Sequence, residues 1–200
     1  MEYIPEISIF KLENNATHRV IEDKDATLTC NVDANPAATS IMWKIADGGA
    51  VKSNTSVLNI VKVALADAGK YVCEAVNSRG TGTGEATLDV LYGPKVTVPS
   101  KEEFTEGEPA SVECVVDSNP SPTQIVWLKQ STSVSQGPWL NFTSIDRKNT
   151  SFYECSSSNK MVPTEGIEME MSKGARTEVL YLFRCNRILF ILYSSLKLKC

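Results

Sequence analysis

Histidine is nearly missing from this chain of 200 residues, which has only His18. A Ser-His-Asp or Cys-His system needs an ordered base beside a nucleophile, and nothing near His18 marks one. It reads as a lone surface histidine ahead of the first long strand. No H-E-x-x-H, P-loop or G-x-G-x-x-G element occurs. Thr81-Gly82-Thr83-Gly84 has glycines but no helix after it, so a phosphate cradle is not expected there. Basic blocks are lacking too, with Lys+Arg 20 against Asp+Glu 24 and a net charge of -4. Affinity for phosphate rests on clustered cations, so nucleic acid is not an expected partner. Zinc needs clustered Cys and His, and calcium needs its own loop spacing; neither is present. Asp23, Asp25, Glu102 and Glu103 therefore read as solvated turn charges. No stretch reaches the ~18 to 20 apolar residues that cross a bilayer. The nearest, Val179 to Tyr193, is cut by Arg184, Asn186 and Arg187. The start, MEYIPEISIFKLENN, carries charges and a proline where a signal peptide needs an apolar run. The chain is expected to begin inside a longer precursor, with membrane attachment only through a segment outside it. No enzymatic activity, catalytic residue, metal or cofactor is expected.

What is present is a pattern that occurs twice. Cys30, Trp43, Tyr71 and Cys73 recur as Cys114, Trp127, Tyr153 and Cys155, offset by 84 residues at the first cysteine and 82 at the second. That period is too long for a solenoid unit and suits one small domain. Asp67-Ala68-Gly69-Lys70-Tyr71-Val72-Cys73 fits D-x-G-x-Y-x-C in full, and VDANPAATSIMWK is echoed by VDSNPSPTQIVWLK. These residues resemble the immunoglobulin superfamily over residues 5 to 182. The resemblance implies an all-β chain of two immunoglobulin-like β-sandwiches in tandem, 5–92 and 94–182, followed by a non-domain tail at 183–200. It also implies bridges from Cys30 to Cys73 and from Cys114 to Cys155, each under the indole of Trp43 or Trp127. Tyr71 and Tyr153 are then tyrosine corners. Bridges of this kind stabilise small secreted domains by roughly 2 to 5 kcal/mol and imply an oxidising compartment.

With that frame, alternation assigns the strands. In the first domain Ala26, Leu28 and Cys30 face inward from strand B, Ile41, Trp43 and Ile45 from strand C, and Leu58 and Ile60 from strand E. Asp47-Gly48-Gly49 turns the chain after strand C. Ala86, Leu88 and Val90 face inward from strand G. In the second domain Ala110, Val112 and Cys114, then Ile125 and Trp127, then Leu140 and Phe142 take those places. Strand G of the second domain is expected at Thr177 to Leu182, after a long connection running through Pro163 and Gly166 to about Arg176. At the second corner Asn149 and Ser151 replace Asp67 and Gly69. Cys185 and Cys200 have no partner in this scheme. The tail fits a truncated membrane anchor or, preferably, a chance extension.

On the sheet of strands C, F and G the outward residues are Met42, Lys44, Val72 and Glu74 in the first domain and Val126, Leu128, Phe152 and Glu154 in the second. Val126, Leu128 and Phe152 would form an apolar patch, and such patches mark contact sites. The competing expectation is that a C′ strand or the F to G connection covers them. Four N-x-[ST] tripeptides, at Asn15, Asn54, Asn141 and Asn149, are candidate glycosylation sites and favour the secretory route. Asn141 lies between two inward residues of strand E and should face water on the opposite sheet. At Asn149 a structural role at the corner competes with glycosylation.

The short F to G turn of the first domain and the V-L-Y-G-P junction resemble I-set arrays of cell-adhesion receptors. The junction and MVPTEGIEM are most similar to echinoid-like, then nephrin-like, arthropod adhesion molecules. The resemblance implies an extracellular fragment of an adhesion or recognition receptor at cell junctions on the outer side of the plasma membrane. It would bind other immunoglobulin-superfamily ectodomains, homophilic or heterophilic, by noncovalent contact. Two alternatives stay open: the ligand-binding ectodomain of a receptor enzyme such as a tyrosine kinase, and an intracellular muscle-filament module.

Overall fold

Residues alternating between apolar and polar build nearly every element of the chain. In the structure, a computed structural model that describes residues 1–9, 17–46, 48–185 and 188–191, these stretches form strands. The described residues divide into two units, Met1–Tyr92 with Val162–Glu168, and Gly93–Met161 with Met169–Cys200.

The first unit holds β1 (Tyr3–Ile9), β2 (Thr17–Ile21), β3 (Ala26–Asn35), β4 (Ser40–Ile45), β5 (Val51–Ser53), β6 (Val57–Ile60), β7 (Gly69–Asn77) and the first part of β8 (Gly80–Thr97). One sheet runs β1-β3-β6; the other runs β8-β7-β4-β5, with β2 parallel to β8. Ala26, Leu28 and Cys30 of β3, Trp43 of β4, Tyr71 and Cys73 of β7, and Ala86, Leu88 and Val90 of β8 meet between the sheets as one core. The Cys30–Cys73 disulfide joins the two sheets across that core, Cα to Cα 6.3 Å. Ile60 packs on the core's flank, but Ile45 does not follow Trp43 inward. It is exposed as the last residue of β4, although the strand keeps its register with β7 as far as Ile45↔Tyr71. Asp47 lies outside the described residues, and Gly48 carries the turn's positive φ of 74°.

The second unit repeats the plan. It holds the rest of β8, β9 (Lys101–Thr105), β10 (Ala110–Glu113), β11 (Val115–Asn119), β12 (Gln124–Lys129), β13 (Thr132–Gln136), β14 (Trp139–Phe142), β15 (Ser151–Met161), β16 (Met169–Cys185) and β17 (Ile188–Ile191). β10 pairs with β14, while β13-β12-β15-β16-β17 form the facing sheet with β9 parallel to β16. Its core gathers Ala110, Val112, Cys114, Trp127, Leu140, Tyr153, Cys155 and Val179 around the Cys114–Cys155 disulfide. The chain is thus two immunoglobulin-like β-sandwiches in sequence, without a long helix among the described residues.

Three expectations need correction. Strand G of the second unit starts at Met169, not Thr177, so the F and G strands stay paired from Ser151↔Val179 to Met161↔Met169. The long connection is therefore mostly ladder, and only Val162–Glu168 links the strands. Strand G also continues past Leu182 to Cys185, and Ile188–Ile191 pairs back onto it, so part of the expected tail is sheet. His18 is not a surface residue: the alternation of β2 turns it and Val20 inward, opposite Leu88, and it is buried. Burial holds its pKa below the usual 6.5, against an opposing pull from Glu165. Within the first unit the backbone nitrogen of Thr164 donates to the carbonyl of Arg19, and that of Arg19 donates to Thr164 Oγ1.

Candidate functional site

The outward face of the second unit's β12, β15 and β16 is built by strand register. Val126 pairs with Ser156, Leu128 with Glu154, Glu154 with Arg176 and Phe152 with Glu178. Side chains two apart on a strand share a face, so Val126, Leu128, Phe152, Glu154 and Arg176 all point away from the core. The expected patch is uneven. Phe152 is 62% exposed, whereas Val126 and Leu128 are only half-buried. Neither competing cover lies over it: β13 pairs edge-on with β12, and β16 pairs edge-on with β15, so both widen the sheet.

At one end of this face an open groove of about 680 Å³ is lined by Leu128, Gln130, Ser131, Phe152, Glu154 and Arg176, among others. Gln130 and Ser131 form the two-residue turn between β12 and β13, with φ of 50° and 64°. Two successive positive φ values give the turn that matches strand twist, at a steric cost to residues with a Cβ. Arg176 Nε donates to Glu154 Oε2 at 2.8 Å across the groove floor. Both are solvated, so this pair adds little stability. The groove thus joins an aromatic ring to paired but reachable charges, the makings of a protein contact.

The other assigned residues fall into structural roles. Trp43 Nε1 donates to the carbonyl of Ser56 at 3.1 Å, and Trp127 Nε1 to that of Pro138 at 3.3 Å. Tyr71 Oη donates to the carbonyl of Asp67 at 2.8 Å, and Tyr153 Oη to that of Asn149 at 3.1 Å, closing the two corners. Burial, then the nearby Asp67, pushes the Tyr71 hydroxyl above its ordinary pKa. Asp67 Oδ2 accepts from the backbone nitrogen of Ala64, and Asn149 Oδ1 accepts from that of Asp146, both at 2.9 Å. Asn149 therefore does the work of an aspartate. Thr150 Oγ1, at the middle position of the tripeptide Asn149-Thr150-Ser151, accepts from the backbone nitrogen of Tyr181. Beside it, the Lys148 side chain and backbone N–H groups hold the Asp146 carboxyl below the usual range despite some desolvation.

Asn54 is exposed in the turn between β5 and β6, Asn141 is exposed on β14, and Asn15 lies outside the described residues.

Sequence reasoning missed a second pair of anchors. Asn77 Nδ2 donates to the carbonyls of Pro36 and Tyr3, and Asn159 Nδ2 donates to that of Pro120. Both asparagines are buried, and both stand four residues after the second cysteine of the repeat. That shared offset was the available signal. The glycines of Thr81-Gly82-Thr83-Gly84 also have a reason: a Cβ on Gly82 would overlap the backbone of Pro5, and one on Gly84 would overlap Ile7, because β1 crosses closely there.

Among the described residues no group of acidic, histidine and cysteine side chains could hold a metal ion. Among the described residues no helix is long and apolar enough to cross a membrane.

Comparison with known proteins agrees with this geometry. The chain is 34% identical to mouse Kin of IRRE-like protein 3 over 127 residues, covering 63% of this chain and 16% of that protein. It is 32% identical to the Drosophila melanogaster Irregular chiasm C-roughest protein over 142 residues, covering 68% of this chain and 18% of that protein. The chain thus spans less than a fifth of the length of these relatives. Among solved structures, DIP-gamma IG1+IG2 superposes with a TM-score of 0.69 at 19% identity, covering 90% of this chain and 99% of that one. The N-terminal four Ig domains of Dscam1 isoform 4.44 superpose with a TM-score of 0.58 at 21% identity, covering 88% of this chain and 45% of that one. These two likenesses concern the fold. The family described as immunoglobulin domain matches residues 5–77 and again 93–159, and the chain belongs to that family.

Proposed function

We propose that this chain is an extracellular part of a cell-surface adhesion or recognition receptor, acting by noncovalent docking and not by catalysis. Its contact surface is the outward face of β12, β15 and β16 in the second unit. The observation that carries this reading is Phe152, 62% exposed on a regular strand beside Leu128 and the Glu154–Arg176 pair, with β13 and β16 extending the sheet edge-on. An exposed aromatic ring with an apolar neighbour and charges at its rim is the composition of an interface hot spot. The disulfides suit an oxidising compartment, and the relatives make a receptor array the natural setting. The partner is another immunoglobulin-type ectodomain, alike or different, held by many weak copies acting together at a junction.

Beads carrying the secreted chain test both partner choices, since self-aggregation reads homophilic contact and capture by beads bearing related ectodomains reads heterophilic contact. Phe152→Asp should abolish whichever aggregation the unsubstituted chain gives, with its thermal unfolding unchanged. Unchanged aggregation by a folded Phe152→Asp chain removes this face from the reading.

A further inference from the structure

The sheet opposite that face carries a second device, seen by laying one unit on the other. In the first unit Thr27 pairs with Asn59, and Thr27 Oγ1 donates to Asn59 Oδ1 at 2.9 Å. In the second unit Ser111 pairs with Asn141, and Ser111 Oγ donates to Asn141 Oδ1 at 2.8 Å. The core tryptophan marks the same place in both, since Trp43 and Trp127 bond to Ser56 and Pro138, three residues before each asparagine. Around this common asparagine two positions differ in kind. Two residues after it, Val61 gives way to Thr143, which completes the tripeptide Asn141-Phe142-Thr143. Two residues before it, Val57 gives way to Trp139.

The two changes meet on one surface. Residues two apart on a strand share a face and lie roughly 6.7 Å apart, so the indole of Trp139 stands beside the carboxamide of Asn141. Leu140 between them is buried, while Trp139 is 45% exposed. The core does not call for this second indole, because Trp127 already fills the space over the disulfide. Ser111 engages the oxygen of the carboxamide and not the nitrogen, and the nitrogen is the atom that takes a sugar.

We propose that Asn141 carries an N-linked glycan whose first N-acetylglucosamine lies on the Trp139 indole. Transfer forms a bond between Asn141 Nδ2 and C1 of the sugar and breaks the C1–O bond to a polyprenyl-pyrophosphate oligosaccharide donor. The amide proton passes to the transferase, and the pyrophosphate leaves. One face of a pyranose ring is a sheet of C–H bonds polarised by the ring oxygens; it meets the negative face of the indole and buries apolar area on both sides. The glycan thereby covers the β10–β14 sheet and leaves the opposite face open. The inference rests on passage through the secretory pathway, which the test supplies by itself.

The full chain, secreted from eukaryotic cells behind an added signal sequence, is compared with Thr143→Ala, which removes the acceptor and keeps the indole. Glycopeptide mass spectrometry should find Asn141 occupied, and the glycan should raise the unfolding temperature by roughly 2 to 6 °C. Trp139→Ala should remove most of that gain and Trp139→Phe should keep part of it. Proton NMR of the unsubstituted glycoprotein should show the first sugar's ring protons shifted upfield by the indole, a readout independent of whether Trp139→Ala folds. In the first unit, Val61→Thr builds an acceptor at Asn59 without an aromatic neighbour, and adding Val57→Trp should give its glycan the stabilising effect. An unoccupied Asn141, a glycan effect indifferent to residue 139, or unshifted sugar protons overturns the proposal.

Discussion

On the same sheet and at the same register, the two units dress their outward faces differently. Beside the core tryptophan the first unit has Lys44 and the second has Leu128. Before the corner tyrosine the first has Lys70 and the second has Phe152. Both lysines are paired within their own sheet, Lys44 with Glu74 and Lys70 with Glu85, the latter at 3.9 Å. The first face therefore satisfies its own charges and presents water with a polar ladder. The second leaves an aromatic ring and an apolar neighbour unpaired. Because the cysteine pair, tryptophan and corner tyrosine hold corresponding core positions in both units, the outward set is free to differ.

Exchanging those faces breaks the comparison most severely. Leu128→Lys with Phe152→Lys gives the second unit the first unit's polar face and should weaken binding by more than about 30-fold, the loss of one hot spot of about 2 kcal/mol. Lys44→Leu with Lys70→Phe should leave the original binding intact and is read through new contacts of the first unit. Equilibrium binding of each secreted variant, with calorimetric unfolding as the folding control, checks both halves. Retained affinity in the Leu128→Lys, Phe152→Lys chain would place the contact elsewhere.

Acid separates the units next. The first buries His18 opposite Leu88, whereas the matching position of the second, opposite Val179, is Glu102. Burial lowers the folded-state pKa of His18 below 6.5, so the unfolded chain binds a proton that the folded chain refuses. The stability owed to neutral His18 is complete above the unfolded value. It is lost as pH falls from about 6.5 through the depressed folded value. Hydrogen exchange followed by mass spectrometry should show the β2 and β8 peptides losing protection over that range, and His18→Leu should flatten the loss. An equal loss in the His18→Leu chain would assign the acid sensitivity to other groups.

The accepting side chains of the two corners differ by one atom type, which makes their equivalence testable. Asn149 accepts from Asp146 as Asp67 accepts from Ala64, each through a single oxygen. Asn149→Asp should therefore change stability little, while Asn149→Ala should cost about 1 kcal/mol in denaturant unfolding, the scale of a lost cap. An Asn149→Asp chain as weak as Asn149→Ala would show that the carboxamide nitrogen matters as well.

Much of this was legible in the residues. Cysteine, tryptophan and tyrosine at fixed spacings record contacts that only one sandwich geometry makes, so both cores could be placed residue by residue. What escaped was whatever lacks hydrophobic period. Met169 to Arg176 pairs with β15 beyond the main core, where neither face needs apolar side chains, and the backbone ladder holds it with the Arg176–Glu154 pair at one end. His18 escaped because an inward imidazole in a short strand looks like a polar residue in a loop. Ile45 was misplaced because it keeps the inward register but is the last residue of β4, where alternation does not tell whether the core still covers the side chain. Of the candidate face, its sheet and its membership were readable, but not the inequality between Phe152 and Val126. That depends on how far β13 and the Gln130–Ser131 turn reach.

That turn gives the smallest and sharpest contrast. The first unit makes the same connection with a longer loop through Gly48 and Gly49, whereas the second turns in two residues, neither of them glycine. Gln130 at φ 50° and Ser131 at φ 64° hold a conformation that asparagine and glycine adopt far more readily. Gln130→Asn with Ser131→Gly should raise stability by about 0.5 to 1 kcal/mol in denaturant unfolding, with β12 and β13 still paired. Because both residues line the groove, the same variant also asks whether their side chains touch a partner. Higher stability with undiminished binding assigns them to the turn alone, and higher stability with weaker binding makes them part of the contact. No gain in stability would mean that the strain is relieved by neighbours, and the groove wall would then be as well fitted as the core beneath it.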